Sequence, residues 1–272
     1  MKVKFFCPYW GSALLSYQLF FKKVKEAGYD GVEMSLPFEK KEKSDILSLL
    51  KEYELELVAQ HWETSHPDPL LHKGIYKRHL LNLAEANPLF INSQTGKDYF
   101  SFEDNSELIN ISFQVENETG IPVVHETHRG KFSFALHITR QYLEKLPGLV
   151  LGLDLSHWCN VAESLLQDQQ DSLDLALVRT SHIHARVGYA EGPQITDPRL
   201  PEWGETMNFH LSCWDKVFEN FVRLGRECLT ITPEFGPYPY MLLLPYTQMP
   251  VANQWEINLY MKDLLKERYS MI

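Results

Sequence analysis

The sequence predicts a closed (β/α)8 barrel, built as a single domain over residues 1–272. Three observations carry that expectation. Short apolar, β-branched runs alternate with helix-period stretches, and the alternation occurs eight times. Alternating βα units imply a parallel sheet, and eight of them in about 250 residues imply closure into a barrel. An open doubly wound sheet shows a glycine-rich phosphate turn after its first strand, and none follows residues 3–7.

The elements follow in order. The first strand is VKFFC at 3–7, and the first helix covers 16–27, with the basic run FKKVKEAG as its solvated face. DGVEMS at 30–35 is the second strand, before a helix at 44–53. LELVAQH at 55–61 is the third, before a helix at 69–86. The fourth unit pairs PLFINSQ at 88–94 with a helix at 104–118. The fifth strand, at 122–126, starts with Pro122 and a Val pair and leads to a helix at 133–145. LVLGLD at 149–154 is the sixth; its helix, 161–178, is expected to break around Gln167 to Asp171. TSHIHAR at 180–186 precedes a helix at 210–224, where Trp214, Phe218 and Phe221 have core-facing helical spacing. CLTITPE at 228–234 and a helix at 252–268 close the set.

Bulk properties narrow the function. The chain has 272 residues, 44% of them apolar, enough to bury a substantial core. Its net charge of −10 argues against general nucleic-acid binding, which needs a basic footprint. No run approaches a membrane span. The start MKVKFFCPYWG lacks the apolar core and cleavage site of a secretory leader. Cys7, Cys159, Cys213 and Cys228 are far apart with no CxxC pair, so reduced thiols and a cytoplasmic location are expected.

In a barrel of this type the active site lies at the C-terminal ends of the strands. Those ends offer, in order, Trp10, Glu33, His61, Gln94, Glu126, Asp154, His184 and Glu234. The stretch PVVHETHRG (122–130) has the spacing H-E-x-H on a strand, so it is not the helical H-E-x-x-H zinc motif. Alternation places side chains on opposite faces. Leu229, Ile231 and Pro233 form an apolar, helix-facing row, which turns Glu234 inward. Ile183 and Ala185 face the helices, which turns His182, His184 and Arg186 inward. Asp154 follows Gly152, and Glu126 follows Val124. Four adjacent strands therefore aim Glu126, Asp154, His184 and Glu234 at one space.

A single strand-end carboxylate is as readily a cap or an ion pair; four such groups sharing a face are not. Three carboxylates and one imidazole cannot crowd together unpaired. One divalent metal ion per chain resolves the conflict, and the O3N donor set suits Mn2+, Mg2+ or Co2+, with Zn2+ also admissible. His182 reads as a satisfied core histidine a layer lower, and His125 as an outward-facing surface or capping residue. His61, Glu33 and Gln94 read as lining a substrate pocket, with pairing inside the barrel as the alternative for Glu33. Trp10 and Trp203 read as core or as walls of the site.

GYDGVEMS at the second strand, HETH at the fifth, LDLSHW at the sixth, HIHAR at the seventh and TPEFGP at the eighth give the chain a resemblance to the xylose-isomerase-like barrels, the sugar-phosphate isomerase/epimerase superfamily. The resemblance implies that Glu126, Asp154, His184 and Glu234 are metal ligands, and that Glu126 and Glu234 are also the catalytic acid/base pair. It implies that His157 and Arg186 touch the substrate. The expected function is isomerisation or epimerisation of a small-molecule carbohydrate, by proton abstraction α to a carbonyl through an enediolate. A metal-dependent dehydratase of a keto-polyol, an endonuclease-IV-like phosphodiesterase and a non-catalytic sugar-binding barrel are the alternatives.

The chain also resembles trinuclear-zinc endonucleases of the endonuclease IV type at His61, Glu126, Asp154, His157, His184 and Glu234. That branch requires a further His after strand four and a D-x-H after strand seven, where this sequence has Gln94 and Asp197-Pro-Arg199. Neither nucleic acid nor membrane is an expected partner. Members of the superfamily are often dimers or tetramers, so a homodimer or homotetramer is the implied assembly. The residues leave the sugar and its phosphorylation open, with Arg129, Arg186 and Arg199 each available to receive a phosphate.

Overall fold

In the computed structural model, which describes residues 1–270, eight parallel strands run in the cyclic order of the sequence. They are β1 (Lys2–Pro8), β2 (Gly31–Met34), β3 (Glu56–His61), β4 (Ile91–Ser93), β5 (Val123–Glu126), β6 (Leu151–Leu153), β7 (Thr180–His184) and β8 (Cys228–Thr232). Closure is by β8 on β1, with Val3 opposite Leu229 and Phe5 opposite Ile231. Around the barrel lie α1 (Tyr17–Glu26), α2 (Lys40–Glu52), α3 (Pro69–Ala84), α4 (Phe102–Thr119), α5 (Leu136–Lys145), α6 (Leu155–Ala162), α7 (Gln170–Val178), α8 (Gly204–Arg223) and α9 (Gln254–Ser270). No helix among the described residues is long and apolar enough to cross a membrane. All four cysteines are free thiols.

Alternation along the strands separates two apolar regions. Outward residues such as Phe5, Val32, Ala59, Ile183 and Ile231 join the helix faces in one large core. Inward residues Phe6, Val58, Phe90 and Val124 form a separate plug inside the barrel. Burying side chains of this size contributes about 1.5–3 kcal/mol each. Towards the N-terminal end, the inward Lys4 and Glu56 pair at 2.6 Å. His182 lies against the ring of Phe90, with centroids 5.1 Å apart, and so marks where the apolar filling gives way to polar side chains.

Helix starts follow from capping. Ser16, Asp68 and Ser101 each accept backbone N–H bonds in the first turn of α1, α3 and α4. The sixth unit differs from the sequence expectation. Asp154 leaves β6 and at once caps a helix, accepting from Ser156 N at 2.9 Å, so α6 starts at Leu155 rather than at 161. Glu163, with φ of 49°, ends it in a left-handed turn, and a second helix, α7, starts at Gln170. The helix is thus in two pieces, as expected, with the break over 163–169 starting ahead of the expected Gln167–Asp171 and overlapping it. Helix α8 starts at Gly204, directly after a 3-10 turn at Pro201–Trp203, and not at 210.

Two side chains of α9 and α8 tie down the loops that carry the site. Asn258 brackets Phe235, accepting from its N–H at 2.8 Å and donating to its C=O at 3.0 Å. This clamps the chain directly after Glu234. His210 Nε2 accepts from the N–H of Gly188, two residues beyond Arg186.

Candidate active site

The ends of β5 to β8 converge as alternation requires. Donor atoms of Glu126, Asp154, His184 and Glu234 all lie within 4.8 Å of one another, and all four residues are buried. The absence of a side chain at Gly152 is part of the construction. A Cβ there would stand 2.5 Å from Asn92 Oδ1, and Asn92 is the inward residue of β4 that reaches under the cluster. Its Nδ2 donates to Glu33 Oε1 at 2.8 Å.

His184 is held from below. Its Nε2 lies 2.9 Å from Glu33 Oε1. Glu33 in turn accepts from the Thr232 hydroxyl at 2.5 Å and meets His182 Nε2 at 3.2 Å. A carboxylate on one ring nitrogen fixes the tautomer and raises the basicity of the other. That other nitrogen, Nδ1, is buried among acids, 2.9 Å from Glu234 Oε2 and 3.7 Å from Glu126 Oε1. Neither carboxylate is aligned for a hydrogen bond, so Nδ1 has no hydrogen-bond partner among the described residues. Short contacts to oxygen without hydrogen-bond alignment are what a nitrogen and carboxylates show when they point at a shared centre.

The electrostatics state the same conflict. Burial, reinforced by the charges of Glu234, Asp154 and Glu33, pushes Glu126 up to about 8 against the pull of His184. Burial also raises Asp154, with Arg186 opposing. Burial acts to lower His184, but Glu234, Glu33 and Glu126 together hold it well above the usual imidazole range. Burial would raise Glu33, yet His184 and His182 hold it well below the carboxylate range. Without a cation, this cluster keeps protons that its donor atoms could exchange for a metal. Three carboxylates and one imidazole fit a hard or borderline divalent ion.

One wall of the cluster is a charge-bearing bracket. Arg186 Nη2 contacts Asp154 Oδ2 and lies 2.7 Å from His157 Nε2, and Arg186 Nε donates to Ser156 Oγ at 3.1 Å. Ser156 Oγ donates onward to Asp154 Oδ1 at 2.5 Å. An arginine only donates, so His157 Nε2 accepts and its proton sits on Nδ1. Burial, followed by His128 and Arg186, holds His157 well below the usual range and in the neutral form. The His128 ring lies 3.9 Å from that of His157, and burial with the Arg186 charge pushes it down to about 3.

The cluster opens into a cavity of about 500 Å3. Glu126, His128, Arg186 and Glu234 line one side. Tyr9, Ala13, Met34 and Trp62 line the other, and Trp10 and Tyr240 meet edge to face at 5.0 Å. Two amides orient the two glutamates: Gln94 donates to Glu126 Oε1 at 3.2 Å, and Gln60 to Glu234 Oε1 at 3.3 Å.

Of the residues expected at the site, Glu126, Asp154, His184 and Glu234 come together, and Arg186, Gln94 and Trp10 line the cavity. Four do not line it. His157 is fully buried behind Arg186, which occupies its Nε2. His61 faces the helices, where Ser93 Oγ (3.0 Å) and Thr64 Oγ1 (2.7 Å) occupy both ring nitrogens; its neighbour Gln60 is the inward residue. Glu33 lies a layer below, under His184. Trp203 packs on Tyr189 and donates to Thr196 Oγ1, away from the cavity.

The structure also places several further residues. His125 faces outward but is fully buried rather than at the surface, held between Thr95 Oγ1 (2.8 Å) and Ser112 Oγ (3.0 Å). His182 is a satisfied core residue, as expected, bonded to Thr230 Oγ1 at 2.8 Å. Arg199 is paired with Asp197, and Arg129 lies over the Tyr240 ring. Sequence reasoning missed Gln60, Asn92, Trp62 and Tyr240. Alternation in LELVAQH carried the signal for Gln60, since Glu56, Val58 and Gln60 share a face opposite the apolar Leu57 and Ala59.

No family model and no curated protein matches the sequence. Solved structures do match, over nearly the whole chain. The 3-keto-D-glucoside 4-epimerase from E. coli superposes with a TM-score of 0.64 at 16% identity, covering 98% of this chain and 100% of its own. D-psicose 3-epimerase from Clostridium cellulolyticum gives 0.62 at 15%, with 98% of each chain covered. Endonuclease IV from Thermus thermophilus gives 0.57 at 12%, covering 98% of this chain and 100% of its own. The fold is thus the one found in xylose isomerase-like barrels. That epimerases and a nuclease share it means that the fold names no activity, and the side chains must decide.

Proposed function

We propose that this protein is a divalent-metal-dependent sugar isomerase or epimerase that abstracts a proton α to a carbonyl. The observation that carries the reading is the buried quartet Glu126, Asp154, His184 and Glu234, with the partnerless Nδ1 of His184 facing the carboxylates. When bound there, one divalent ion supplies Lewis acidity to a ketose carbonyl and its neighbouring hydroxyl.

The rest of the work falls to the chain. Glu126 and Glu234 reach the cavity from different strands, and each has one oxygen fixed by a glutamine amide. One removes the carbon-bound proton as general base, and the other returns a proton. Return to the opposite face of the same carbon is epimerisation; delivery to the former carbonyl carbon is isomerisation. Arg186 holds a sugar oxygen in register with that pair, and His157 Nε2 accepts from its Nη2 and fixes its orientation. Trp10 and Tyr240 cover the Arg186 side of the site and limit water access, with the guanidinium 4.7 Å from the Tyr240 ring.

The residues speak against a three-metal phosphodiesterase. Where that chemistry needs a histidine after strand four, Gln94 binds Glu126, and where it needs D-x-H, Arg199 neutralises Asp197. The test is solvent exchange. Metal-loaded protein incubated with ketohexoses in D2O is expected to place one deuteron on the carbon next to the carbonyl, read by mass spectrometry. Sugar binding with no exchange in any ketose would make this a binding barrel instead.

A further inference from the structure

We infer that the substrate is an uncharged keto-sugar bearing a second ring, a glycoside, with the keto ring over the acidic quartet and the second ring against Trp62. The inference rests on the reading above and deepens it by naming the substrate class.

The charged groups of the cavity are all on one side. Glu126, Arg186 and Glu234 come from the ends of β5, β7 and β8, whereas the exits of β1, β2 and β3 supply the uncharged Tyr9, Ala13, Met34 and Trp62 with Ser35 and Gln60. A substrate matching both sides has oxygens to present at one end and a hydrocarbon face at the other. Volume points the same way. A cavity of about 500 Å3 falls in the range of pockets that enclose ligands larger than a single small sugar.

Charge sets a further limit. Among the described residues, the one cationic side chain lining the cavity, Arg186, already contacts Asp154 and lies 3.9 Å from Glu234. Arg129 is turned onto Tyr240 and bonded to Asn160 Oδ1 at 3.3 Å, and Arg199 is paired with Asp197. The N-terminus of α6, the helix that starts at the site, is capped by the Asp154 carboxylate. A phosphate or carboxylate on the substrate would find no unengaged cationic side chain among the described residues that line the cavity, an arrangement that penalises charge.

Trp62 supplies the second subsite. It is 56% exposed although it lines the cavity. Its backbone N–H donates to Glu63 Oε2 at 3.0 Å, and Glu63 in turn accepts from the Ser35 hydroxyl. The end of β3 is thereby tied to the loop after β2, which holds a large indole at the rim. Indoles in such positions stack on the apolar face of a ring.

The test titrates Mn2+-loaded protein by calorimetry with phenyl β-D-glucoside, D-glucose and D-glucose 6-phosphate, in wild type and Trp62→Ala. The expected result is phenyl glucoside at least tenfold tighter than glucose and glucose 6-phosphate no tighter than glucose. In Trp62→Ala the phenyl glucoside advantage should fall about tenfold with the melting temperature unchanged. Tighter binding of the phosphate, equal binding of the two neutral probes, no binding of any probe, or a preference that survives Trp62→Ala would each overturn the inference. These outcomes are independent of solvent exchange. A Trp62-dependent glycoside preference without exchange at any ketose would refute the proposed chemistry and leave the substrate class standing.

Discussion

Glu33→Gln isolates the part of the site that touches no substrate. Glu33 Oε1 lies 2.9 Å from His184 Nε2, and the residue is fully enclosed, so solvent does not screen the pair. Glutamine has the same length and keeps a carbonyl oxygen to accept from that nitrogen. The variant therefore removes the negative charge and leaves the hydrogen bond. What is lost is the push that makes Nδ1 a better donor, an effect worth about 10–100-fold in metal affinity at comparable sites, or about 1.4–2.7 kcal/mol. Calorimetric titration of Mn2+ into metal-stripped protein measures it directly. A melting curve taken in parallel checks that Asn92, Thr232 and His182, which also contact Glu33, stay in place. Mn2+ affinity within twofold of wild type, at an unchanged melting temperature, would refute the claim that Glu33 acts through His184.

Three further outcomes follow from the same geometry. Glu126→Gln and Glu234→Gln, assayed at saturating metal, should each lower solvent exchange at the substrate carbon by about 10²–10⁴-fold, the usual contribution of a general base; a variant with wild-type exchange is not part of the acid/base pair. Gly152→Ala places a methyl group 2.5 Å from Asn92 Oδ1 and should cost about 1–3 kcal/mol in urea unfolding, while also weakening Mn2+ binding because Asn92 supports Glu33. A stable variant with normal metal affinity would show that Asn92 is free to move. Acid stability tests two buried histidines, His125, which precedes Glu126 but points to the opposite face of β5, and His210 of α8. Ser112 spends its hydroxyl proton on Ile109 O, so His125 Nε2 donates to Ser112 and Nδ1 accepts from Thr95; His210 donates to Thr206 O and accepts from Gly188 N. Burial pushes them down to about 3 and about 4. Because they stay neutral when folded but take protons when unfolded, their stabilisation is complete above about pH 6.5. It is lost below that, down to pH 3–4, at about 1.4 kcal/mol per pH unit for each. His125→Gln should reduce the pH slope of urea stability by one such increment, and an unchanged slope would refute the assignment.

The barrel was legible because its signal is repetitive: eight apolar runs, each followed by a helix-period stretch, leave little choice of topology. The quartet was legible because β5 to β8 each place an ionisable residue on the face opposite an apolar row. The errors have physical causes. LELVAQH ends in two polar residues, and taking the last one as inward overlooked the alternation that turns Gln60 inward, opposite Asn92. Glu33 looks as terminal as Glu126, yet it lies opposite Val58, one inward position short of Gln60. Strand tilt and stagger in a closed barrel mean that equal distance from a strand end is not equal depth. Trp203 and Trp62 sit on connections with no hydrophobic period, so nothing local reported which of them returns to the cavity. Helix α6 escaped notice because Leu155, Ser156, His157, Trp158 and Cys159 are all buried, which erases the amphipathic pattern.

The central claim is that one divalent ion is gripped by Glu126, Asp154, His184 and Glu234. Crystals soaked in Mn2+ and measured at its absorption edge test it most directly. The account predicts a single anomalous peak per chain, enclosed by those four side chains and lost in Asp154→Asn. No peak there, or a cluster of peaks reaching His61 and Asp197, would contradict it.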